Sequence, residues 1–529
     1  MKTRDFHLPG RSPVYAREGM AATSHPLASL AAIETLKAGG TAADAAVTAV
    51  ATLCVIEPAM TGIGGDCFCL VAKPDQPVWG YNGSGRAAAS VTTEKLLAQK
   101  MPRKIPATSP HAVTVPGAIE AWDALLKAHG RFGLDRALQP AIGHAENGYV
   151  IAPRVGYDWA DQVAKLSPHA GSAKYYLPNG SAPAVGSTVM LPALAATLKA
   201  IAAGGAKAFY QGAIAADIAA TVRAKGGLLT EEDLARHRGD VVTPISTNYR
   251  GLDVVELPPN GQGLTALVLL NILEQFEMAK LDPTGPERLH LALEAARLAF
   301  GVRDTHISDP ATMREPVAGL LDKGFAKKLA KRIDPEKRVP MPKAPTPGSD
   351  TIYLTVVDRD RTAVSLINSL YSAFGTGICT EKTGIMLHNR GTGFVLDPEH
   401  PNTIAPGKRP MHTIIPALTM RDGRCAMAFG VMGADYQPMG HAHVVTNMVD
   451  YGMDVQAAID APRAFFVGES TIAERGLPEA AIAGLRQRRH NVLLAPSPWG
   501  GGQAIRIDGE RGVLIGGSDP RKDGCALGY

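Results

Sequence analysis

Residues 348–371, G-S-D-T-I-Y-L-T-V-V-D-R-D-R-T-A-V-S-L-I-N-S-L-Y, constrain the fold more than any other stretch of this chain. Positions 351–357 alternate in the two-residue period of a half-buried strand, with Ile352, Leu354 and Val356 on one face and Tyr353, Thr355 and Val357 on the other. Asp358-Arg359-Asp360-Arg361 is a polar turn, and 362–370 runs on as a second β-branched strand, so the pair predicts a hairpin. A threonine opens it. The preceding segment, 338–350, carries Pro340, Pro342, Pro345, Pro347 and Gly348, the composition of an exposed loop. A cut before Thr351 gives its hydroxyl a general base in its own α-amine, whose pKa of about 7.7–8.0 suits neutral pH. From the local pattern alone, the plainer reading is a threonine that begins a strand after a linker.

With 529 residues, 45% hydrophobic and 20% charged, the chain can bury a large core and has no signature of disorder. The net charge of +4 is small for this length and no block of five like charges occurs, so neither nucleic acid nor an anionic membrane is implied as a partner. The start, M-K-T-R-D-F-H-L-P-G-R-S-P, lacks the apolar run of a secretory signal, and no 18-residue apolar span follows; a cytoplasmic location is the expectation. Cys54, Cys67, Cys69, Cys379, Cys425 and Cys525 contain no Cys-x-x-Cys pair and read as buried free thiols.

Leu27, Leu30, Ile33 and Leu36 fall at helical spacing and stop at Gly39-Gly40, after which Thr41-Ala-Ala-Asp44 reads as a capping box for a second helix. Gly62, Gly64 and Gly65 precede a strand at 67–71; a phosphate loop runs in the opposite order, strand first, and ends in a lysine that is missing here. Helical periodicity recurs at 117–128, 191–203, 210–225 and 288–300, and 253–257 reads as a strand before the turn Pro258-Pro259-Asn260-Gly261. His290 has no histidine at i+4 and reads as a surface or core histidine rather than a metal ligand. Further strands are expected near 383–389, 413–419, 425–431 and 511–516, with a helix after Asp435.

The motifs T-I-Y-L-T-V-V-D, F-G-T-G-I (374–378), G-K-R-P (407–410), G-V-M-G-A-D (430–435) and S-D-P-R-K-D-G (518–524), with G-M-A-A-T-S-H-P (19–26), A-G-G-T-A-A-D-A-A-V (38–47), G-I-G-G-D (62–66) and T-V-P-G (114–117) upstream, together resemble the γ-glutamyltranspeptidase family of self-cleaving N-terminal-nucleophile hydrolases. The resemblance implies an α+β fold, a four-layer αββα sandwich. It also implies a large chain, 1–350, and a small chain, 351–529, interlocked as a heterodimer after cleavage between Asp350 and Thr351, with further dimerisation left open.

Carried over position by position, the resemblance makes Thr351 the nucleophile and Ser369 the hydroxyl that supports the freed amine. The Gly433 and Ala434 N–H groups become the oxyanion donors, Ala434 standing where the family has a second glycine, a replacement tolerated unless φ is positive. Tyr371 stands in place of an asparagine and Tyr353 in place of a histidine; both also read as packing residues. The family's acceptors for the substrate ammonium fall on Arg390 and Gly393, neither of which accepts a hydrogen bond with its side chain. An arginine there favours a carboxylate. The family's carboxylate-binding arginine aligns with Ser84, and Arg86 two residues on is the substitute. His412-Thr413 replaces two serines that meet the carboxylate, with His412 read either as a contact or as a loop brace. Segment 395–406 is shorter than the long lid of some members.

These residues lead to an autoprocessed threonine amidohydrolase or acyltransferase that needs no metal or organic cofactor, takes a small-molecule amide, and prefers an acid-bearing acyl group, oxamate-like or glutaryl-like. A true γ-glutamyltransferase or glutathione hydrolase is the alternative within the class. An uncleaved, non-catalytic scaffold is the alternative outside it.

Overall fold

The hairpin expected around residue 351 forms, with Ile352–Val357 antiparallel to Ala363–Ser369 and Ile352 opposite Asn368. The computed structural model describes residue 7 and residues 10–340 and 351–529; Asp350 lies outside the described residues. Contrary to the half-buried strand expected, every residue of both strands is buried. Position explains it. The hairpin is central in a seven-stranded antiparallel sheet ordered Cys525–Gly528, Met20–Thr23, Ile352–Val357, Ala363–Ser369, Asp66–Ala72, Trp79–Gly83, Asp240–Val242. One face, Ile352, Leu354 and Val356, packs on helices through Val47 and Val50; the other, Tyr353 and Val357, packs on a second sheet through Ala428 and Ile505. Each Val, Leu or Ile so buried contributes about 1.5–3 kcal/mol.

The second sheet is also seven-stranded: Val14–Ala16, Val513–Ser518, Gly501–Asp508, Arg424–Met432, Ala417–Arg421, Leu252–Glu256, Ile245–Tyr249. Strands from before and after residue 351 stand side by side in both sheets, so neither part closes a sheet without the other. Outside the first sheet lie Pro26–Lys37, Ala42–Ile56 and Ala118–His129; outside the second lie Gly263–Leu273, Pro286–His306 and Gln437–Val449. The result is the αββα sandwich.

The capping box at residue 41 forms, with Asp44 N donating to Thr41 Oγ1 at 3.2 Å and Thr41 N donating to Asp44 Oδ2 at 2.8 Å. No strand forms at 383–389. That segment is a loop that meets its neighbours in single bridges, Cys379 with Met386 and Gly64 with Leu387. His290 is a core histidine, its Nδ1 2.7 Å from His490 Nε2 and its Nε2 2.8 Å from the Asp334 carbonyl. Among the described residues, no helix is long and apolar enough to cross a membrane.

Candidate active site

One residue beyond the last ladder pair of the hairpin, the Thr351 and Ser369 hydroxyl oxygens lie 2.9 Å apart. Both residues are fully buried. Ser369 Oγ also accepts from the Tyr371 N–H at 2.8 Å. The glycines at 64 and 65 serve this spot by close approach. A Cβ on Gly65 would lie 2.3 Å from the Ser369 carbonyl oxygen, and one on Gly64 2.2 Å from that of Met386. The loop fits no side chain there.

Asp66, which the sequence reading passed over, lies opposite Ser369 in the sheet. Its Oδ1 accepts from Gly85 N at 3.0 Å and Gly117 N at 3.1 Å, its Oδ2 faces His412 Nε2 at 3.0 Å, and His388 Nδ1 stands 3.4 Å away. His412 Nδ1 accepts from Ile414 N at 3.3 Å, which places the imidazole proton on Nε2, aimed at Asp66. Burial pushes His412 down to about 3, so the ring is neutral. Burial opposes the charge on Asp66 as well, but the imidazoles of His388 and His412 outweigh it and hold the carboxyl well below its ordinary value. The His412 ring is tilted on that of Phe68, with centroids 4.6 Å apart. The signal available in the sequence was a carboxylate opening an apolar strand.

Across the sandwich, Gly433 and Ala434 follow the strand Arg424–Met432. Gly433 has φ +129°, and a Cβ there would lie 3.1 Å from Gly500 Cα, so the position belongs to glycine. Ala434 has φ +48°, the condition under which its replacement of a glycine carries strain, about 1–2 kcal/mol. Gln262, absent from the sequence reading, holds it: Nε2 donates to the Ala434 carbonyl at 2.9 Å and to the Thr413 carbonyl at 2.8 Å.

The gamma-glutamyltranspeptidase family model matches residues 28–529. The chain belongs to that family. Among curated relatives it is 38% identical to the glutathione hydrolase-like YwrD proenzyme of Bacillus subtilis, over 97% of this chain and 99% of that protein. It is 36% identical to the oxamate amidohydrolase proenzyme of Klebsiella pneumoniae, over 97% and 98%. Among solved structures, cephalosporin acylase from Bacillus halodurans superposes with a TM-score of 0.93 at 39% identity, covering 100% of this chain and 99% of that one. These relatives are hydrolases and acylases.

Where the γ-glutamyltranspeptidase resemblance asks for ammonium acceptors, the structure has Arg390, 1% exposed. Its Nη1 donates to Thr413 Oγ1 at 2.8 Å, and its face is covered by the Tyr371 ring at 4.3 Å. Nε and Nη2, the two donors of the guanidinium's side edge, are buried and have no partner among the described residues. Burial pushes the guanidinium down to about 10, against the charges of Asp66 and Asp435, so it remains a cation at neutral pH. Tyr371 itself has φ +79°, and burial pushes its phenol up to about 12.

Gly393 leaves no room for an acid. A Cβ there would lie 2.5 Å from the Met411 carbonyl oxygen. Tyr353 stands between the sheets rather than beside Thr351, bonded to Ser365 Oγ at 2.8 Å with its ring where a Gly430 side chain would go, and is a packing residue. Arg86 is not brought to Arg390: its guanidinium lies 3.2 Å from the Gly407 carbonyl, 3.6 Å from Asp240 and 3.8 Å from Asp309, with the side chain 41% exposed.

Proposed function

We propose that this chain is an autoprocessing threonine amidohydrolase or acyltransferase whose acyl pocket takes a group ending in a carboxylate and lacking an adjacent ammonium. The observation that carries the reading is the open Nε/Nη2 edge of Arg390, joined to the nucleophile through Tyr371 and Ser369. A buried donor without an acceptor is expensive, about 1–3 kcal/mol and more for a charged group, and this pair matches the two oxygens of a carboxylate. An oxamate amidohydrolase and acylases among the relatives support an acid-bearing, amide-bonded substrate.

In this reading the bond between Asp350 and Thr351 is cut first, giving residues 1–350 and 351–529. The Thr351 Oγ then attacks the amide carbon while the freed α-amine accepts the hydroxyl proton, and the Gly433 and Ala434 N–H groups receive the oxyanion, a contribution of about 3–4 kcal/mol per donor. Ser369 Oγ steadies the nucleophile. The amine then leaves with that proton, and water or an acceptor amine opens the Thr351 ester. The reacting groups belong to the chain itself.

Mass spectrometry of purified protein tests the first step and should show two chains, with Thr351→Ala intact. For the pocket, kcat/KM is compared for glutaryl and γ-glutamyl p-nitroanilide, which differ only in the ammonium. Glutaryl should be favoured by about 30-fold or more, the size of a like-charge contact with lost hydrogen bonds. A tenfold preference for γ-glutamyl supports the glutathione hydrolase reading; an uncut, inactive chain supports the scaffold.

A further inference from the structure

We propose that Gln262 is a positioning residue that couples the acid-binding pocket to the oxyanion loop, so that an acyl carboxylate on Arg390 is expressed in turnover and not only in binding. The inference rests on the function proposed above. Gln262 is fully buried, and its amide spans two separate segments of the chain that follow Thr351: one Nε2 hydrogen goes to the Thr413 carbonyl at 2.8 Å and the other to the Ala434 carbonyl at 2.9 Å. Its backbone N–H donates to the His412 carbonyl at 2.9 Å, and His412 N returns a bond to Asn260 O at 2.8 Å. The residue is thus fixed at both ends.

The orientation of the amide is set by a third contact. Gln262 Oε1 faces Arg303 Nη1 at 2.8 Å, and because a guanidinium only donates, the oxygen must be on that side and the NH₂ on the other. Arg303 in turn is 2.5 Å from Asp435 Oδ1, the residue after Ala434. The strained φ of Ala434 is therefore held from two directions, by its own carbonyl and by its neighbour's carboxylate.

The same amide reaches the pocket. Arg390 Nη1 to Thr413 Oγ1, Thr413 O to Gln262 Nε2 and Gln262 Nε2 to Ala434 O form a continuous run of 2.8, 2.8 and 2.9 Å bonds. Arg390, Thr413, Gln262 and Ala434 are all at or below 1% exposure, so a shift of the guanidinium towards a carboxylate is not absorbed by solvent. It is passed along the run to Ala434, whose anchored carbonyl lies one peptide beyond the N–H assigned above to the oxyanion.

The test uses the cleaved enzyme and two substrates, glutaryl p-nitroanilide and the neutral valeryl p-nitroanilide of equal acyl length, with kcat and KM measured separately. Wild type should show a glutaryl/valeryl kcat ratio of ten or more. Gln262→Leu should bring that ratio to within about threefold of unity while the KM ratio stays within threefold of wild type; a general loosening of the fold lowers both kcat values together and leaves the ratio unmoved. Arg303→Lys approaches the network from its other end, and should lower the kcat ratio at least threefold even where Gln262→Leu does not accumulate as folded protein. The proposal is overturned if wild type discriminates in KM alone, or if the variants keep the wild-type kcat ratio. Failure of wild type to cleave either anilide would instead overturn the function on which the inference rests.

Discussion

Asp66 and Arg390 are two buried charges near the Thr351–Ser369 hydroxyl pair, and they are treated in opposite ways. The carboxylate is engaged at both oxygens: two backbone N–H groups donate to Oδ1 and the His412 imidazole to Oδ2, with His388 Nδ1 at 3.4 Å. The guanidinium has one hydroxyl, one aromatic face and two idle donors. A buried charge whose two oxygens both accept hydrogen bonds from the fold belongs to the architecture. One left half open in a closed interior keeps its unmet donors only where something else supplies the acceptor. The comparison separates scaffold from subsite without reference to conservation.

The largest effect tests whether the nucleophile lies between the two charges. Thr351→Ala should remain a single chain and lose turnover by about 10⁴-fold or more, since removing the attacking atom removes both processing and catalysis. A cleaved, active variant would move the site elsewhere and dissolve the comparison. Next in size is Asp66→Ala. Stranding two backbone donors and the His412 imidazole should destabilise the fold by about 3–5 kcal/mol in denaturant unfolding, and a change below about 1 kcal/mol would show that Asp66 is not a structural hub.

Arg390→Met should behave in reverse. Replacing a buried cation that has two unmet donors by an apolar side chain leaves unliganded stability unchanged or raised by about 1 kcal/mol, while kcat/KM for glutaryl p-nitroanilide falls about 30- to 1000-fold and that for valeryl p-nitroanilide does not. An equal loss on both substrates would make Arg390 a packing residue. The smallest effect is in pH. His412 is held neutral with its pKa near 3, below the ordinary 6.5, so the unfolded chain takes up this proton first and stability is lost as pH falls from 6.5 towards 3. Between pH 6 and 4.5 that amounts to about 1–2 kcal/mol. His412→Gln keeps an N–H for Asp66 and cannot titrate, so its stability curve should lack this slope. Its turnover should still rise with an apparent pKa within about a unit of 7.7, that of the freed amine; loss of that limb would make His412 the base.

The sequence by itself determined most of the elements and singled out Thr351 as the proposed nucleophile. Period-two alternation at 351–357, the Asp-Arg-Asp-Arg turn and the capping box at Thr41 are local patterns, and each formed where the pattern put it. Motif order named Thr351, Ser369, Gly433 and Arg390 because such residues keep their place along the chain. What the tertiary structure alone decided was which charges are filled and which are open. Gln262 and Arg303 carry no local signature, and the carboxylate that opens the strand at Asp66 does not name its partners, since the three residues' partners lie at 413 and 434, at 435, and at 85, 117 and 412. The sign of φ at Ala434, the room for a side chain at Gly393 and the direction of Arg86 are likewise set by neighbours distant in sequence. Periodicity records whether a residue faces the core; hydrogen-bond satisfaction depends on which atoms the packed sandwich brings within 3 Å, and that is a property of the fold as a whole.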